Sequence, residues 1–304
     1  MSSPLAPARI AITGATGMVG RALTPFLAAL GHTVVPVSRR ALPGGIRWEP
    51  GAEALDPAPW QGVEAVIHLA GENIAEGRWT ATRKERLRDS RVVPTRRLAE
   101  MLAGMATPPR VMLSASAIGI YGDCGEATVT EASPAGTGFL GELGAAWEAA
   151  ADPARNAGIR VVHPRFGVIL DPGGGALAKM LPPARMGLGG PLGGGDQWLS
   201  WIALDDALGA LHRLLARDTL QGAVNVVAPH PVQNAAFAAT LGAVLRRPAF
   251  IPVPALALRM LLGEMADAAL LASTRVIPEL LLADGYRFRH PDLEGALRHL
   301  LDRE

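Results

Sequence analysis

A glycine-rich segment near the start of the chain has the spacing of a phosphate-binding turn. Gly14, Gly17 and Gly20 form a Gly-x-x-Gly-x-x-Gly pattern. The pattern follows an apolar strand candidate, Arg9 to Thr13, and opens the helical apolar spacing of Met18 to Leu30. Such glycines permit a tight turn and a close approach of the backbone to a pyrophosphate, which the helix N-terminus attracts. The segment therefore predicts a dinucleotide site, with a ligand-free strand-to-helix turn as the alternative. The turn residues predicted to touch the dinucleotide are Gly14, Thr16, Gly17, Met18, Val19 and Gly20.

The end of the next strand candidate, Thr33 to Val37, bears on the choice between NAD and NADP. NAD-preferring sites carry an acid at this point, which binds the ribose 2′-hydroxyl. This chain instead reads Ser38-Arg39-Arg40. Arginines can pair with a 2′-phosphate, and the serine adds a donor. We therefore predict NADP(H) as the cofactor. The alternative is that both arginines only solvate a loop.

The elements that must position these residues alternate between strand and helix patterns. Further strands are predicted at Ala65 to Leu69, Val111 to Ser114, Arg160 to Arg165 and Ala223 to Val227, and helices at about Thr82 to Leu102 and Leu140 to Asn156. This alternation predicts an α/β fold with a doubly wound parallel Rossmann sheet. We interpret the glycine-rich segment Asp171 to Gly195 as a substrate-side loop. From Pro229 onward the chain is predicted to be mainly helical, with proline breaks.

These patterns suggest two units. Residues 1–165 together with about 203–228 would form the NADP-binding Rossmann domain. Residues from about 166–202 and 229–304 would form a smaller unit on the substrate side, made of the glycine-rich loop and the C-terminal helices.

Composition excludes several classes of function. The formal net charge of +1 comes from 29 basic and 28 acidic residues with no like-charge block, so no nucleic acid or anionic lipid surface is expected as a partner. A single cysteine, Cys124, cannot build a disulfide framework, which favours a reducing cytoplasm. Residues 1–8 lack the pattern of a signal peptide, and charges interrupt the apolar segment Pro252 to Leu271, so no membrane helix is predicted. No histidine and carboxylate spacing predicts a metal site.

Several motifs together resemble the extended short-chain dehydrogenase/reductase superfamily, and more closely its atypical branch, the epimerase-family proteins. The motifs are Ile12 to Gly20, Leu69 to Ile74, Arg78-Trp79, Ser116 to Gly122, Pro164 to Leu170 and Gly187 to Gly193. The resemblance covers nearly the whole chain and implies a cofactor lying along the strand ends. It also implies catalysis by a Tyr-x-x-x-Lys pair with a nearby serine or threonine, in which the tyrosine is the general acid/base.

The resemblance suggests further cofactor contacts at the ends of three strands. These are Leu69, Ala70, Gly71 and Glu72, then Ser114 and Ala115, then Arg165, Phe166, Gly167 and Val168, with Arg83 from the helix after Glu72. Glu72 could bind a ribose hydroxyl, or it could be a loop carboxylate. Arg83 could pair with the pyrophosphate or an acidic substrate, or it could be a solvated helix charge.

The chain lacks the Tyr-x-x-x-Lys pair. The residues four after its two tyrosines, Tyr121 and Tyr286, are Gly125 and His290. Depending on the loop length, the positions of the pair fall on Leu140 and Gly144 or on Glu142 and Ala146.

Three residues are candidates to replace the missing pair. Tyr121 could act as an acid from an unusual direction, or it could only line the substrate site. Glu142 falls near the missing tyrosine, where burial could raise its pKa toward neutrality, and an exposed helical glutamate is the alternative. Ser116 could bind a substrate carbonyl or the nicotinamide ribose, or it could simply end a strand.

Two functions follow from these observations. The first is an NADP(H)-dependent oxidoreductase or epimerase-like enzyme with a non-standard proton donor, acting on a small molecule. The second is a non-catalytic NADP(H)-binding sensor or regulatory protein. The protein is expected to be a monomer or a homodimer.

Overall fold

A parallel sheet with helices on both faces forms the centre of the computed structural model, which describes residues 6–50 and 55–302. The strands, in chain order, are β1 (Arg9–Thr13), β2 (Thr33–Ser38), β3 (Ile46–Arg47), β4 (Ala65–His68), β5 (Val111–Ser114), β6 (Ser116–Ala117), β7 (Thr128–Val129), β8 (Arg160–Phe166), β9 (Val168–Asp171), β10 (Trp198–Leu199), β11 (Trp201–Ala203), β12 (Gly222–Val226), β13 (Val232–Gln233) and β14 (Arg275–Val276). Residues 1–5, which are part of the segment tested for a signal peptide, lie outside the described residues.

The helices surround the sheet and make up most of the C-terminal part. In chain order they are α1 (Met18–Ala29), α2 (Ala81–Ala103), α3 (Gly138–Ala149), α4 (Asp152–Asn156), α5 (Gly175–Arg185), α6 (Leu204–Ala216), α7 (Asn234–Leu245), α8 (Ala255–Leu262), α9 (Glu279–Ala283) and α10 (Leu293–Leu300). Short 3-10 turns at Ala58–Trp60 and Ile118–Tyr121 and a π-helical turn at Ala266–Leu271 complete the structure.

The order of the central sheet is β12-β8-β5-β4-β1-β2-β3, with β6 also paired to β8. All of its pairings are parallel. From β1 the chain first extends the sheet through β2 and β3, and then returns to the other side of β1 through β4 and β5. This reversal between β1 and β4 is the switch point where ligands bind in open α/β sheets. The predicted doubly wound Rossmann sheet is confirmed.

The two faces of β1 enter different cores because side chains alternate along a strand. Ile10 and Ile12 pack in a cluster with Leu23 of α1 and Leu211 of α6. Ala11 points to the opposite face, in a cluster with residues of α2 and α4. The sheet is therefore buried on both sides, as a parallel sheet requires.

The interpretation of Asp171 to Gly195 as a loop is wrong in its middle, where α5 forms. Leu177, Leu181 and Ala184 recur at helical spacing and are buried in a cluster with residues of α7 and α10. Burial of this apolar stripe outweighs the prolines inside the helix. Composition concealed the helix because the glycines lie at and beyond its ends.

The predicted helix Leu140 to Asn156 is two helices. α3 ends at Ala149, and α4 begins at Asp152 with Pro153 in its first turn. Proline cannot continue a helix from its interior but suits a first turn, so the break falls just before it.

The C-terminal part is mainly helical, as predicted, and it also adds two short strands. β13 pairs with β10, and β14 pairs with β7. Within residues 6–50 and 55–302, none of the helices combines the length and apolar character needed to cross a bilayer.

Candidate cofactor and substrate site

The glycine turn has the close packing that its spacing predicts. Gly14 has a positive φ of +68°, and a Cβ on it would lie 2.9 Å from the Leu69 carbonyl carbon. A Cβ on Gly20 would lie 2.3 Å from the Gly14 carbonyl oxygen. Neither position has room for a side chain, because Gly14 packs against the residues that follow β4 and Gly20 packs against the turn itself.

The N-terminus of α1 has unused hydrogen-bond donors. The Gly17 N–H donates to the Gly14 carbonyl at 2.9 Å, which closes the turn. Among the described residues, no side chain caps α1 and the N–H groups of Met18, Val19 and Gly20 have no partner. The same three residues line a cavity. Free N–H groups at a helix N-terminus that open into a cavity fit a phosphate group.

Two cavities meet at this turn along the strand ends. The first, lined by residues that include Ser38, Arg39 and Trp48, is called the Arg39 cavity and has a volume of about 450 Å³. The second, lined by residues that include Ser116, Ile120 and Leu140, is called the Ser116 cavity and has a volume of about 310 Å³. They share Gly14, Gly17 and Leu69 as lining residues. The predicted cofactor residues that line one or both are Gly14, Thr16, Gly17, Met18, Val19, Gly20, Ser38, Arg39, Leu69, Ala70, Gly71, Glu72, Ala115 and Phe166. A continuous crevice of this kind can hold an extended dinucleotide.

The far end of the Arg39 cavity carries the predicted arginines. Arg39 lines it beside Ser38 and Trp48, and Arg40 borders an adjoining depression. The Arg40 N–H donates to Ser38 Oγ at 3.1 Å. Both arginines are exposed, and the described part of the chain shows no ion pair for either. Their charges are therefore available to a phosphate, and no carboxylate at the end of β2 opposes it.

Glu72 and Arg83 are bound to each other. The Arg83 guanidinium pairs with the Glu72 carboxylate and donates to the Asn73 carbonyl oxygen at 2.6 Å. Glu72 lines the Arg39 cavity, whereas Arg83 lines neither cavity. The contacts of Arg83 therefore indicate that it fixes the position of the Glu72 carboxylate.

Several residues predicted at the strand ends lie beneath the crevice instead of lining it. The N–H groups of Gly167 and Val168 donate to the carbonyl oxygens of Val226 and Ser200 at 3.2 and 2.9 Å, so neither is free for a ligand. Ser114 is fully buried, and its hydroxyl has no partner among the described residues. Arg165 is also buried, and it belongs to the hydrogen-bonded chain described next.

A hydrogen-bonded chain runs from the Ser116 cavity into the protein. Ser116 lines the cavity, and its hydroxyl donates to Glu148 Oε1 at 2.6 Å. Arg165 donates to both carboxylate oxygens of Glu148, at 2.8 and 2.9 Å. Burial alone would raise the pKa of Glu148, but hydrogen bonds from Arg165 and Ser116 outweigh it and hold the pKa below its ordinary value. The carboxylate is therefore ionised at neutral pH.

Tyr121 lies at the inner end of this chain. Its hydroxyl accepts a hydrogen bond from Arg165 at 2.8 Å and donates to Asn225 Oδ1 at 2.8 Å. The residue is 3% exposed and does not line the Ser116 cavity. Burial raises the pKa of Tyr121, so its proton stays on the hydroxyl. The structure thus does not bring Tyr121 to the place where it could exchange a proton with a substrate.

The positions of the missing Tyr-x-x-x-Lys pair are apolar. Leu140 and Gly144 line the Ser116 cavity, which selects the first of the two alignments considered above. Glu142 is exposed on α3 and does not line the cavity, so it is not placed to replace the missing tyrosine. A Cβ on Gly144 would lie 2.7 Å from the Ile120 Cβ, so α3 packs too closely there for a lysine side chain.

Sequence reasoning missed Arg91, a buried cation that lines the Ser116 cavity. It donates to the carbonyl oxygens of Leu87 and Glu72 at 3.1 and 2.8 Å, and it stacks over the Trp147 ring at 5.2 Å. Burial lowers its pKa to about 10, so it stays charged at neutral pH. No carboxylate among the described residues lies within ion-pair distance of it.

A signal for Arg91 was present in the sequence. Helical spacing from Leu87 and Leu98 puts Arg91 on the buried face of α2. The signal was hidden because α2 is rich in arginine, and composition alone makes all of its arginines look alike.

Comparison with known proteins agrees with this geometry. The model of the NAD dependent epimerase/dehydratase family matches residues 10–227, and a domain of unknown function, DUF1731, matches residues 253–300. Epimerase family protein Mb2239 of Mycobacterium bovis is 42% identical over 303 residues, which cover 98% of this chain and 99% of that protein. Human epimerase family protein SDR39U1 is 38% identical over 296 residues, which cover 96% of this chain and 99% of that one.

A crystal structure of human epimerase family protein SDR39U1 (isoform 2) with NADPH has the same fold. It superposes with a TM-score of 0.89 at 38% identity, covering 97% of this chain and 100% of the human one. The glycine turn, the parallel sheet and the full-length similarity agree, and the chain belongs to the NAD dependent epimerase/dehydratase family, in its branch of epimerase-family proteins.

Proposed function

We propose that the protein binds NADP(H) along the crevice formed by the two cavities. The observation that carries the proposal is the continuity of this crevice from the exposed Arg39 through the free N–H groups of α1 to Ser116. The 2′-phosphate would lie against Ser38, Arg39 and Arg40, and the pyrophosphate at the glycine turn. The human relative crystallised with NADPH supports this choice of cofactor.

Calorimetric titration of the purified protein tests the cofactor. We expect NADPH to bind with a micromolar or lower Kd, and NADH at least tenfold more weakly. The double variant Arg39→Ala/Arg40→Ala should lose at least tenfold in affinity for NADPH and little for NADH. Arg298→Ala, on α10 and outside both cavities, serves as the matched control. An unchanged preference in the double variant would refute the arginine assignment, and a folded protein that binds neither nucleotide would refute the site.

Arg91 has a part in this proposal. It lies where the two cavities join, since a Cβ on Gly71 would be 3.5 Å from its guanidinium carbon. A buried guanidinium without a carboxylate partner favours an anion. We propose that Arg91 binds the cofactor phosphates. It would then supply a positive charge to the cofactor in place of the lysine that α3 lacks.

The reaction we propose is hydride exchange with a small, mainly apolar molecule held in the Ser116 cavity. When bound there, the nicotinamide would supply the hydride chemistry. The walls include Ile120, Leu140, Leu143 and Phe166, which suit an apolar substrate. Oxidoreductase activity is the first form of this proposal. An epimerase-like enzyme, which oxidises and re-reduces one substrate, would use the same exchange.

The single free cysteine, Cys124, suits a cytoplasmic location.

Ser116 and Glu148 would handle the proton. Because the Ser116 hydroxyl already donates to Glu148, its lone pairs are free to accept from a substrate hydroxyl. A proton leaving the substrate can pass to Ser116 Oγ while the serine proton passes to Glu148, with Arg165 fixing the carboxylate. The lowered pKa of Glu148 makes it a weaker base than an ordinary glutamate, so this route favours substrates with acidic hydroxyls.

A non-catalytic NADP(H) sensor is the second candidate function. The observation in its favour is the apolar pair Leu140 and Gly144 at the positions of the catalytic residues. Nucleotide binding without NADP(H)-linked turnover on a broad panel of alcohols and carbonyl compounds would favour the sensor, whereas turnover that depends on Ser116 would exclude it.

A further inference from the structure

Two histidines and a carboxylate come together away from both cavities, where the C-terminal helix meets α6. Asp205 lies in the first turn of α6, His299 in the last turn of α10, and His290 just before α10. One nitrogen or oxygen atom from each side chain lies within 4.8 Å of the other two. Sequence analysis predicted no metal site because Asp205 is far from both histidines along the chain.

The backbone around His290 is fixed against α6. Asp206 is fully buried, and its carboxylate accepts the N–H groups of Arg289 and His290 at 2.7 and 2.9 Å. The two neighbouring carboxylates therefore differ in what they contact. Asp206 fixes the backbone at Arg289 and His290, whereas Asp205 places a carboxylate oxygen beside the imidazole of His299.

The side chains are close to a metal-binding arrangement. His299 Nε2 lies 2.7 Å from Asp205 Oδ2, and the rings of His290 and His299 stack with centroids 4.2 Å apart and planes 20° apart. The described residues offer no hydrogen bond to either ring nitrogen of His290. All three side chains are partly exposed, so an ion can reach them from solvent.

We propose that His290, His299 and Asp205 bind a Zn²⁺ ion, with water completing a tetrahedral site. Imidazole nitrogen and carboxylate oxygen are zinc ligands, whereas Mg²⁺ and Ca²⁺ prefer sites made of oxygen alone. Tetrahedral coordination needs donor atoms about 3.3 Å apart, so the stacked rings of His290 and His299 would turn until a nitrogen of each points at the ion. To bind the metal through Nε2, His299 must carry no proton on that nitrogen. The ion would join α10 to α6.

Titration of the full-length, metal-free protein with ZnCl₂, in competition with a chromophoric chelator, tests the proposal. We expect one ion per chain with a Kd in the micromolar range or below, and a rise in Tm of about 5 °C at saturating zinc. MgCl₂ should leave Tm unchanged. His290→Ala and His299→Ala should each weaken binding at least 100-fold.

His290→Ala is the decisive variant because it removes a ligand without removing any hydrogen bond that the structure shows. His230→Ala is the matched control, since His230 also pairs with an aspartate, Asp292, on the surface and lies outside the cluster. Far-UV circular dichroism of each metal-free variant checks its fold. Equal zinc affinity in the wild type and His290→Ala, or an equal loss in His230→Ala, would overturn the site.

Discussion

The Ser116 hydroxyl donates a 2.6 Å hydrogen bond to Glu148, a carboxylate one helical turn beyond Gly144 on α3. The helix at the positions of the missing Tyr-x-x-x-Lys pair therefore lines the Ser116 cavity with Leu140 and Gly144, and its Glu148 is linked to the cavity only through Ser116. The lysine of the Tyr-x-x-x-Lys pair has no counterpart on α3, and the nearby positive charges come from other elements. Arg165 lies behind Glu148, and Arg91 of α2 lines the cavity.

Replacing Glu148 should destabilise the fold. Glu148→Gln leaves the guanidinium of Arg165 buried without its counter-charge, and removing one partner of a buried pair costs about 3 kcal/mol. Urea denaturation measures the change. Glu142→Gln, an exposed glutamate on the same helix, should change the free energy of unfolding by less than about 0.5 kcal/mol. Similar values for the two variants would show that the pair contributes little.

Replacing Ser116 should separate chemistry from cofactor binding. Ser116→Ala removes the hydroxyl proposed to pass the substrate proton to Glu148, so NADP(H)-linked turnover of a substrate should fall by about 100-fold or more. The Kd for NADPH should change less than about threefold, because the hydroxyl is remote from the phosphates. Glu142→Gln should retain full activity. If Ser116→Ala turned over at the wild-type rate, the proton route through Ser116 would be wrong.

Replacing Arg91 should weaken cofactor binding. A charge-assisted hydrogen bond to phosphate contributes about 1.5–3 kcal/mol, so Arg91→Ala should raise the Kd for NADPH by at least about tenfold. Arg88→Ala, an exposed arginine on the same helix, is the control and should change it less than twofold. Calorimetry at two salt concentrations is the measurement. Equal losses in both variants would indicate only a general effect of the charge on α2.

Acid should destabilise the protein because two histidines are buried in the neutral form. Burial lowers the pKa of His68 and of His163 to about 4, whereas an unfolded histidine has its ordinary value of 6.5. Unfolding therefore takes up protons below pH 6.5, and stability falls from there toward pH 4, by about 3 kcal/mol for each histidine.

The pH dependence of the free energy of unfolding measures this effect. The slope of the unfolding free energy against pH gives the number of protons taken up on unfolding. In His68→Gln this number should fall by about one between pH 6.5 and 4, whatever the overall loss of stability. A slope unchanged in His68→Gln would mean that this histidine is protonated in the folded protein.

Helical glycines at two positions should respond oppositely to alanine. A Cβ on Gly144 meets Ile120 at 2.7 Å, so Gly144→Ala should destabilise by about 1–2 kcal/mol despite its better helix propensity. Gly295 on α10 has no atom within 4 Å of such a Cβ, and Gly295→Ala should stabilise by about 0.5–1 kcal/mol. Thermal unfolding gives both values, and stabilisation by Gly144→Ala would contradict the close packing.

Features whose determining residues lie close together in the sequence could be predicted, and features that join distant residues could not. The turn from Gly14 to Gly20 was predictable because all its determinants lie within a few residues, and the sheet because each strand is a short apolar run. The pairing of Glu148 with Arg165 joins residues of different elements, and no local pattern indicates it. The same reason hid the cluster of Asp205, His290 and His299.

Helix α5 and the exposure of Glu142 illustrate a different limit. Glycine at the ends of α5 made the segment look irregular, although burial of Leu177 and Leu181 decides its structure. For Glu142, the periodicity of α3 did not show which side of the helix would face the cavity, since small residues occupy much of that helix.

The pairing of β14 with β7 joins parts of the chain that sequence comparison separates. Ser200 strengthens the join, because its hydroxyl donates to the Thr274 carbonyl and accepts the Val276 N–H, both at 2.8 Å. The C-terminal segment therefore completes the hydrogen bonding of the dinucleotide-binding half, and both should unfold in a single cooperative transition. A chain truncated after β12 would expose these polar groups together with the apolar surface that packs on α7 and α10. It should aggregate instead of folding as a smaller nucleotide-binding protein.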